Sequence, residues 1–120
     1  MKRLLLALLL SLPAFAQKFP YPQGAALQLF DNNGDVLSGG CVYTYVAGGT
    51  VPQASYTNAG GGTPNTNPVV LDSSGRGNIW LSAASYRIDV YRTNGGVCAT
   101  SNVLISSVDN IPGSGATGSS

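Results

Sequence analysis

Past residue 17 the sequence never sustains apolar residues at i, i+3 and i+4 for three turns, the spacing an amphipathic helix needs. Instead, Gly, Pro, Asn and Asp interrupt it about every eight to twelve residues, leaving short runs rich in Val, Ile, Leu and Tyr. Such a chain has no crossover helices with which to build a parallel sheet. The pattern predicts an all-β fold: a small antiparallel β-sandwich of about seven short strands.

The runs can be placed one by one. "AALQLFD" (25–31) alternates and then meets Asn33-Gly34, a favoured two-residue hairpin turn. "CVYTYVA" (41–47) puts Cys41, Tyr43 and Tyr45 on one face and Val42, Thr44 and Val46 on the other. "QASYT", "PVVLD" and "GNIWLS" follow. In "SYRIDVYR" (85–92), Tyr86, Ile88 and Val90 alternate with Arg87, Asp89 and Tyr91. After a turn at Asn94-Gly95-Gly96, "VCA" and "NVLISSV" read as the last strands. "AGGGTPNTNP" (59–68) reads as a long turn whose Asn and Thr side chains bond to nearby backbone, and "SSGR" as the turn after "VVLD".

The first residues have a different grammar. "MKRLLLALLLSLPAFAQ" carries Lys2 and Arg3, an apolar run from Leu4 to Leu12, Pro13, and Ala14-Phe15-Ala16 as a small-x-small cleavage site, so residues 1–16 read as a secretory signal peptide. The apolar run is too short for the roughly 20 residues of a membrane span. The expected organisation is a signal peptide over 1–16, an extended Pro-rich arm over 17–24, the β-sandwich over 25–111 and a Gly/Ser-rich tail or linker over 112–120. Export places the mature chain in an extracellular or periplasmic, oxidising space. There its two cysteines, Cys41 and Cys98, read as a disulfide, with two separate free thiols as the alternative. The 120 residues hold six basic and five acidic side chains; without Lys2 and Arg3 the balance is four to five. No basic cluster offers itself to nucleic acid or an anionic membrane.

Chemistry is sparse. The chain has no His and no Glu, which removes Ser-His-Asp and Cys-His arrangements and leaves proton transfer to Asp or Tyr. Two cysteines without His do not make a tetrahedral zinc site. Asp31, Asp35, Asp72, Asp89 and Asp109 mostly stand at strand ends beside Asn or Gly, where Asp serves turns; a glycosidase-like pair such as Asp31 with Asp72 is the competing reading. "DNNGDVLSGGCV" matches the first three ligand offsets of a calcium loop at Asp31, Asn33 and Asp35, but has Val36 where Gly is needed and Val42 where a bidentate Glu is needed. Tyr43, Tyr45, Tyr91 and Trp80 fit either a sugar-stacking surface or ordinary cross-strand packing. No cofactor and no metal are expected, and no enzymatic activity. Phe19 and Tyr21, in the arm "QKFPYPQG", are candidates for reaching a partner.

The succession "LFDNNGDVLSGGCVYTYVAGGTVPQASYTNAGGGTPNTNPVVLDSSGRGNIWLSAASYRIDVY" resembles the N-terminal, head-binding-type module of bacteriophage tail fibres and tailspikes, most specifically in "TPNTNPVVLD" and "IWL". The resemblance covers about residues 29–111. It implies a non-catalytic β-sandwich, often trimeric, acting by protein–protein association. Cys41 stands where such modules more often have Lys, which together with the signal peptide suggests an exported relative with a structural or adhesive role. A second, looser similarity, carried by "FDNNGDVLSGGCVYTY" and the Tyr-containing strand before Asn94-Gly95, is to transthyretin-like or carboxypeptidase-regulatory-like sandwiches. That similarity implies an accessory module able to contact carbohydrate.

Overall fold

The computed structural model describes residues 19–20 and 27–113. The expected signal peptide, Tyr21 with most of the arm, and residues 114–120 of the tail lie outside the described residues.

The described chain is all β, without helix, and its strands pair only antiparallel. β1 (Phe19–Pro20) pairs with β6 (Trp80–Leu81), and β2 (Leu27–Gln28) pairs with β5 (Arg76–Gly77). A four-stranded sheet runs in the order β4 (Val69–Val70), β3 (Cys41–Val46), β7 (Ser85–Tyr91), β8 (Leu104–Pro112). Eight strands are thus described, and the three long ones, β3, β7 and β8, lie side by side.

The predicted alternation holds in the register of β3 and β7, but not in burial at the ends of β3, where Cys41 and Tyr45 are buried and Val46 is exposed. Val42 faces Val90 and Thr44 faces Ile88 across the ladder, and these side chains with Tyr86 point into the core. Leu27, Leu37, Leu71, Ile79 and Leu81 complete it from the other side, so the small strand pairs form the second layer. Tyr86, fully buried, satisfies its hydroxyl within the core: it donates to Ala54 O (2.5 Å) and accepts from Ser82 N (3.1 Å).

Several runs depart from the expected strands. Within "AALQLFD" the described residues 27–31 hold Leu27–Gln28 and a single bridge from Phe30 to Val36, because the chain turns at Asp31. That turn is a loop from Asp31 to Asp35 rather than a two-residue hairpin turn at Asn33-Gly34: Asp31 Oδ1 accepts from Asn33 N (2.8 Å) and Asp35 N (3.0 Å), folding the loop around the carboxylate. "QASYT" forms isolated bridges only, in which Tyr56 meets both Pro64 and Trp80, since Pro64 has no donor to extend a ladder. "VCA" is not a strand. Asn94 bridges Val97 across Gly95-Gly96, and Cys98 lies in the following loop. "NVLISSV" grows instead into β8, which runs to Pro112; Gly113 N then donates to Ala84 O (2.8 Å).

Candidate functional site

Asp31 and Asp72 head two loops with one design. In Asp31–Asp35 and in Asp72–Arg76, the Asp carboxylate accepts from the backbone N–H two and four residues on, at 2.8 and 3.0 Å in each case. The Asp N–H bonds the carbonyl four residues on (2.8 and 2.9 Å), and the glycine at the fourth position, Gly34 or Gly75, takes positive φ. The loops stack through Leu29 N to Gly75 O (2.9 Å), so closely that a Cβ on Gly75 would sit 2.7 Å from Leu29 O. Gly75 is therefore required both by its φ of 75° and by this contact.

These bonds fix the electrostatics. The backbone N–H groups of Asp35 and Asn33 hold the Asp31 carboxyl below the usual aspartate range, helped by Arg92. Those of Arg76 and Ser74 do the same for Asp72, and those of Gly48 and Asn110 for Asp109. A glycosidic general acid needs the opposite shift. In the Asp31–Asp35 loop, moreover, the Asp31 Oδ1 that the calcium reading would use already accepts two N–H groups, and Oδ2 faces Arg92 Nη2 at 3.5 Å. Among the described residues no three His, Cys, Asp or Glu side chains gather as a metal-binding group.

The "TPNTNP" stretch is a clamp made of amides. Asn65 Nδ2 lies 3.0 Å from each of three acceptors, Ser55 Oγ, Tyr56 O and Asn78 O. Asn67 accepts from Thr44 N (3.0 Å) and donates to Thr44 O (2.8 Å), so one side-chain amide stands in for a strand beside a residue that is 0% exposed. The local turn bonding expected there thus reaches across the fold.

On the outer face of the four-stranded sheet, Tyr43 lies parallel to Tyr45 (centroids 6.1 Å apart) and edge-on to Tyr91 (5.5 Å). Beside them the buried Asp89 pairs with Arg87 Nε (3.1 Å) and accepts from Ser107 Oγ (2.6 Å). The bond to Asp89 raises the Arg87 pKa, and burial followed by the Asp89 charge raises that of Tyr45. The sheet gathers three of the four aromatics proposed for stacking. Trp80 lies apart on β6.

Cys41 and Cys98 are bonded (Cα–Cα 5.8 Å), joining the start of β3 to the loop after β7 rather than two strands. Phe19, proposed for an outward arm, has its backbone paired with Leu81 of its own chain.

The feature that sequence reading did not single out is β8. It is the edge of the sheet, with no strand beyond it among the described residues, and it is exposed on nearly every residue, including Leu104 (47%) and Val108 (48%). Two bulges bracket its regular stretch Ser106–Val108: Ile105 is the extra residue at one, and Asp109 and Asn110, the latter at φ 58°, oppose Arg87 at the other. Run length alone does not reveal an edge; a serine pair set among Leu104, Ile105 and Val108 is the only signal. No family model matches the chain, and no curated protein matches it.

Proposed function

We propose that the exported chain is a non-catalytic structural or adhesive β-domain that works by protein–protein association, as the phage tail-fibre module it resembles does, and that it first associates with copies of itself. The observation that carries this reading is the edge strand β8, nine residues long and exposed along almost all of its length, Leu104 and Val108 included. A long open edge with apolar side chains is what a second chain extends by main-chain hydrogen bonding. The opposite edge, β4, has only two residues and offers little template. The internal pairing of Phe19–Pro20 favours β8 over the arm as the associating element. A disulfide between Cys41 and Cys98 suits the oxidising space to which the signal peptide points.

Association is tested by sedimentation of the mature protein beside a Ser106→Lys/Val108→Lys variant, since lysines on an edge oppose strand addition. The variant should sediment as a smaller species with an unchanged β-type circular dichroism spectrum. Equal sedimentation of the two would count against β8.

A second reading, an accessory module contacting a neutral glycan, draws on Tyr43, Tyr45 and Tyr91 sharing one sheet face. It expects a monomer whose oligosaccharide binding disappears on Tyr43→Ala.

A further inference from the structure

We infer that Asn94 is a site of spontaneous covalent modification, conversion to aspartate and isoaspartate through a succinimide, and that it reacts ahead of Asn33. These are the only asparagines followed by glycine, and both stand in exposed turns. The bonding around them is what separates their reactivity.

The reaction begins when the backbone nitrogen of the glycine gives its proton to hydroxide and attacks Cγ of the asparagine. The new C–N bond closes the succinimide ring, and the side-chain nitrogen leaves as ammonia after taking a proton from water. Water then opens the ring at either carbonyl, giving aspartate or its β-linked isomer. Overall one water is consumed and one ammonia released, with no change of oxidation state.

At Asn94 little opposes the attack. Gly95 N–H has no acceptor among the described residues, and nothing lies within 4 Å of where a Cβ on Gly95 or Gly96 would be. Among the described residues the Asn94 backbone is held only by its isolated bridge to Val97, through two bonds of 3.1 Å. Gly95 and Gly96 both take positive φ (63° and 86°), the signature of a two-residue hairpin turn standing clear of the fold. Opening that one exposed bridge frees the Asn94 backbone to turn toward the attack geometry.

At Asn33 the same attack is restrained twice, once at the nucleophile and once at the asparagine backbone. Gly34 N–H donates to Asp31 O (3.1 Å), and Asn33 N–H donates to Asp31 Oδ1 (2.8 Å), so the loop must open before the ring can form. The Asp31 carboxylate, kept ionised by its N–H donors, also opposes the amide anion that would form beside it. The product at Asn94, by contrast, adds a carboxylate to an open groove of about 320 Å³ that Asn94 shares with Arg92 and Asn102.

The test incubates the mature, disulfide-bonded chain in mildly alkaline buffer, with and without denaturant. Peptide mapping by tandem mass spectrometry then follows the exchange of side-chain NH2 for OH at each site. In the native protein Asn94 should convert at least about fivefold faster than Asn33, the ratio that corresponds to about 1 kcal/mol for releasing the Gly34 bond. In denaturant the two rates should converge, and Asn94→Gln should stop conversion at that position while leaving the Asn33 rate unchanged. Native conversion of Asn33 as fast as Asn94, or a folded Asn94 that is inert while the denatured chain reacts, would overturn the inference.

Discussion

Replacing Asn67 by Asp, a change of one NH2 for O, tests the amide clamp with almost no change in shape. Asn67 holds both polar groups of the Thr44 backbone, which is fully buried, at 3.0 and 2.8 Å. An aspartate keeps the acceptor for Thr44 N but turns the donor to Thr44 O into a second negative oxygen, set against a carbonyl that still accepts from Gln53 N (3.0 Å). Each lost bond costs about 0.5–1.5 kcal/mol. Asn67→Ala also leaves the buried Thr44 N unpaired, about 1–3 kcal/mol, whereas in Asn67→Asp the added cost is a carboxylate oxygen held against Thr44 O. Asn67 is itself exposed, so water relieves part of this, and both Asn67→Asp and Asn67→Ala should destabilise by about 2–4 kcal/mol. At about 4–8 °C per kcal/mol for a domain of this size, the melting temperature should fall by about 10–25 °C. Scanning calorimetry or urea titration at neutral pH measures it. Thr66→Ala, which removes only the exposed bond to Pro68 O, serves as the control and should cost less than about 1 kcal/mol. Asn67→Asp as stable as the parent protein would refute the clamp. Asn67→Asp markedly more stable than Asn67→Ala would show that the donated bond to Thr44 O carries little.

Other consequences can be measured in the same way. Cys98→Ser opens a bridge spanning 57 residues and should remove about 4 kcal/mol in the chain-entropy account, lowering the melting temperature by well over ten degrees; ready alkylation of both cysteines in the native protein would contradict it. Asp31, Asp72 and Asp109 have native pKa values below their unfolded ones, so their contribution is complete above about pH 4 and is lost as pH falls through the native values. The melting temperature should therefore drop on the acid side, and Asp72→Asn should flatten that limb; a melting temperature flat down to pH 2 would contradict the shifts. Gly75→Ala meets both a positive φ and Leu29 O at 2.7 Å, so it should lower the melting temperature far more than Gly34→Ala, where nothing lies within 4 Å.

Sequence reading succeeded where one local period decides the structure. β3 and β7 are long enough for alternation to separate Val42, Thr44, Tyr86, Ile88 and Val90 from Tyr43, Tyr45, Arg87, Asp89 and Tyr91, and the ladder registers them as expected. The disulfide was legible because two cysteines leave one pairing. Turn chemistry was legible as turns, yet its reach was not. Asn67 looks like any loop amide until the fold brings it to Thr44, 23 residues away. Short strands failed for a related reason: β2, β5 and β6 are two-residue pairings set by the stacked Asp loops and by the Tyr56 bridges, which leave no periodicity in the sequence. The candidate surface was half visible. The tyrosine face follows from alternation, whereas the openness of β8 depends on strand order, which no local pattern encodes.

The most direct test of the associative role is sedimentation equilibrium of the mature, disulfide-bonded chain over a wide concentration range, with amide hydrogen exchange followed along Leu104–Pro112 at each end of that range. Reversible self-association should appear together with slower exchange in β8, and both should be lost in Ser106→Lys/Val108→Lys. A monomer at every concentration, with β8 exchanging equally fast throughout, would contradict it.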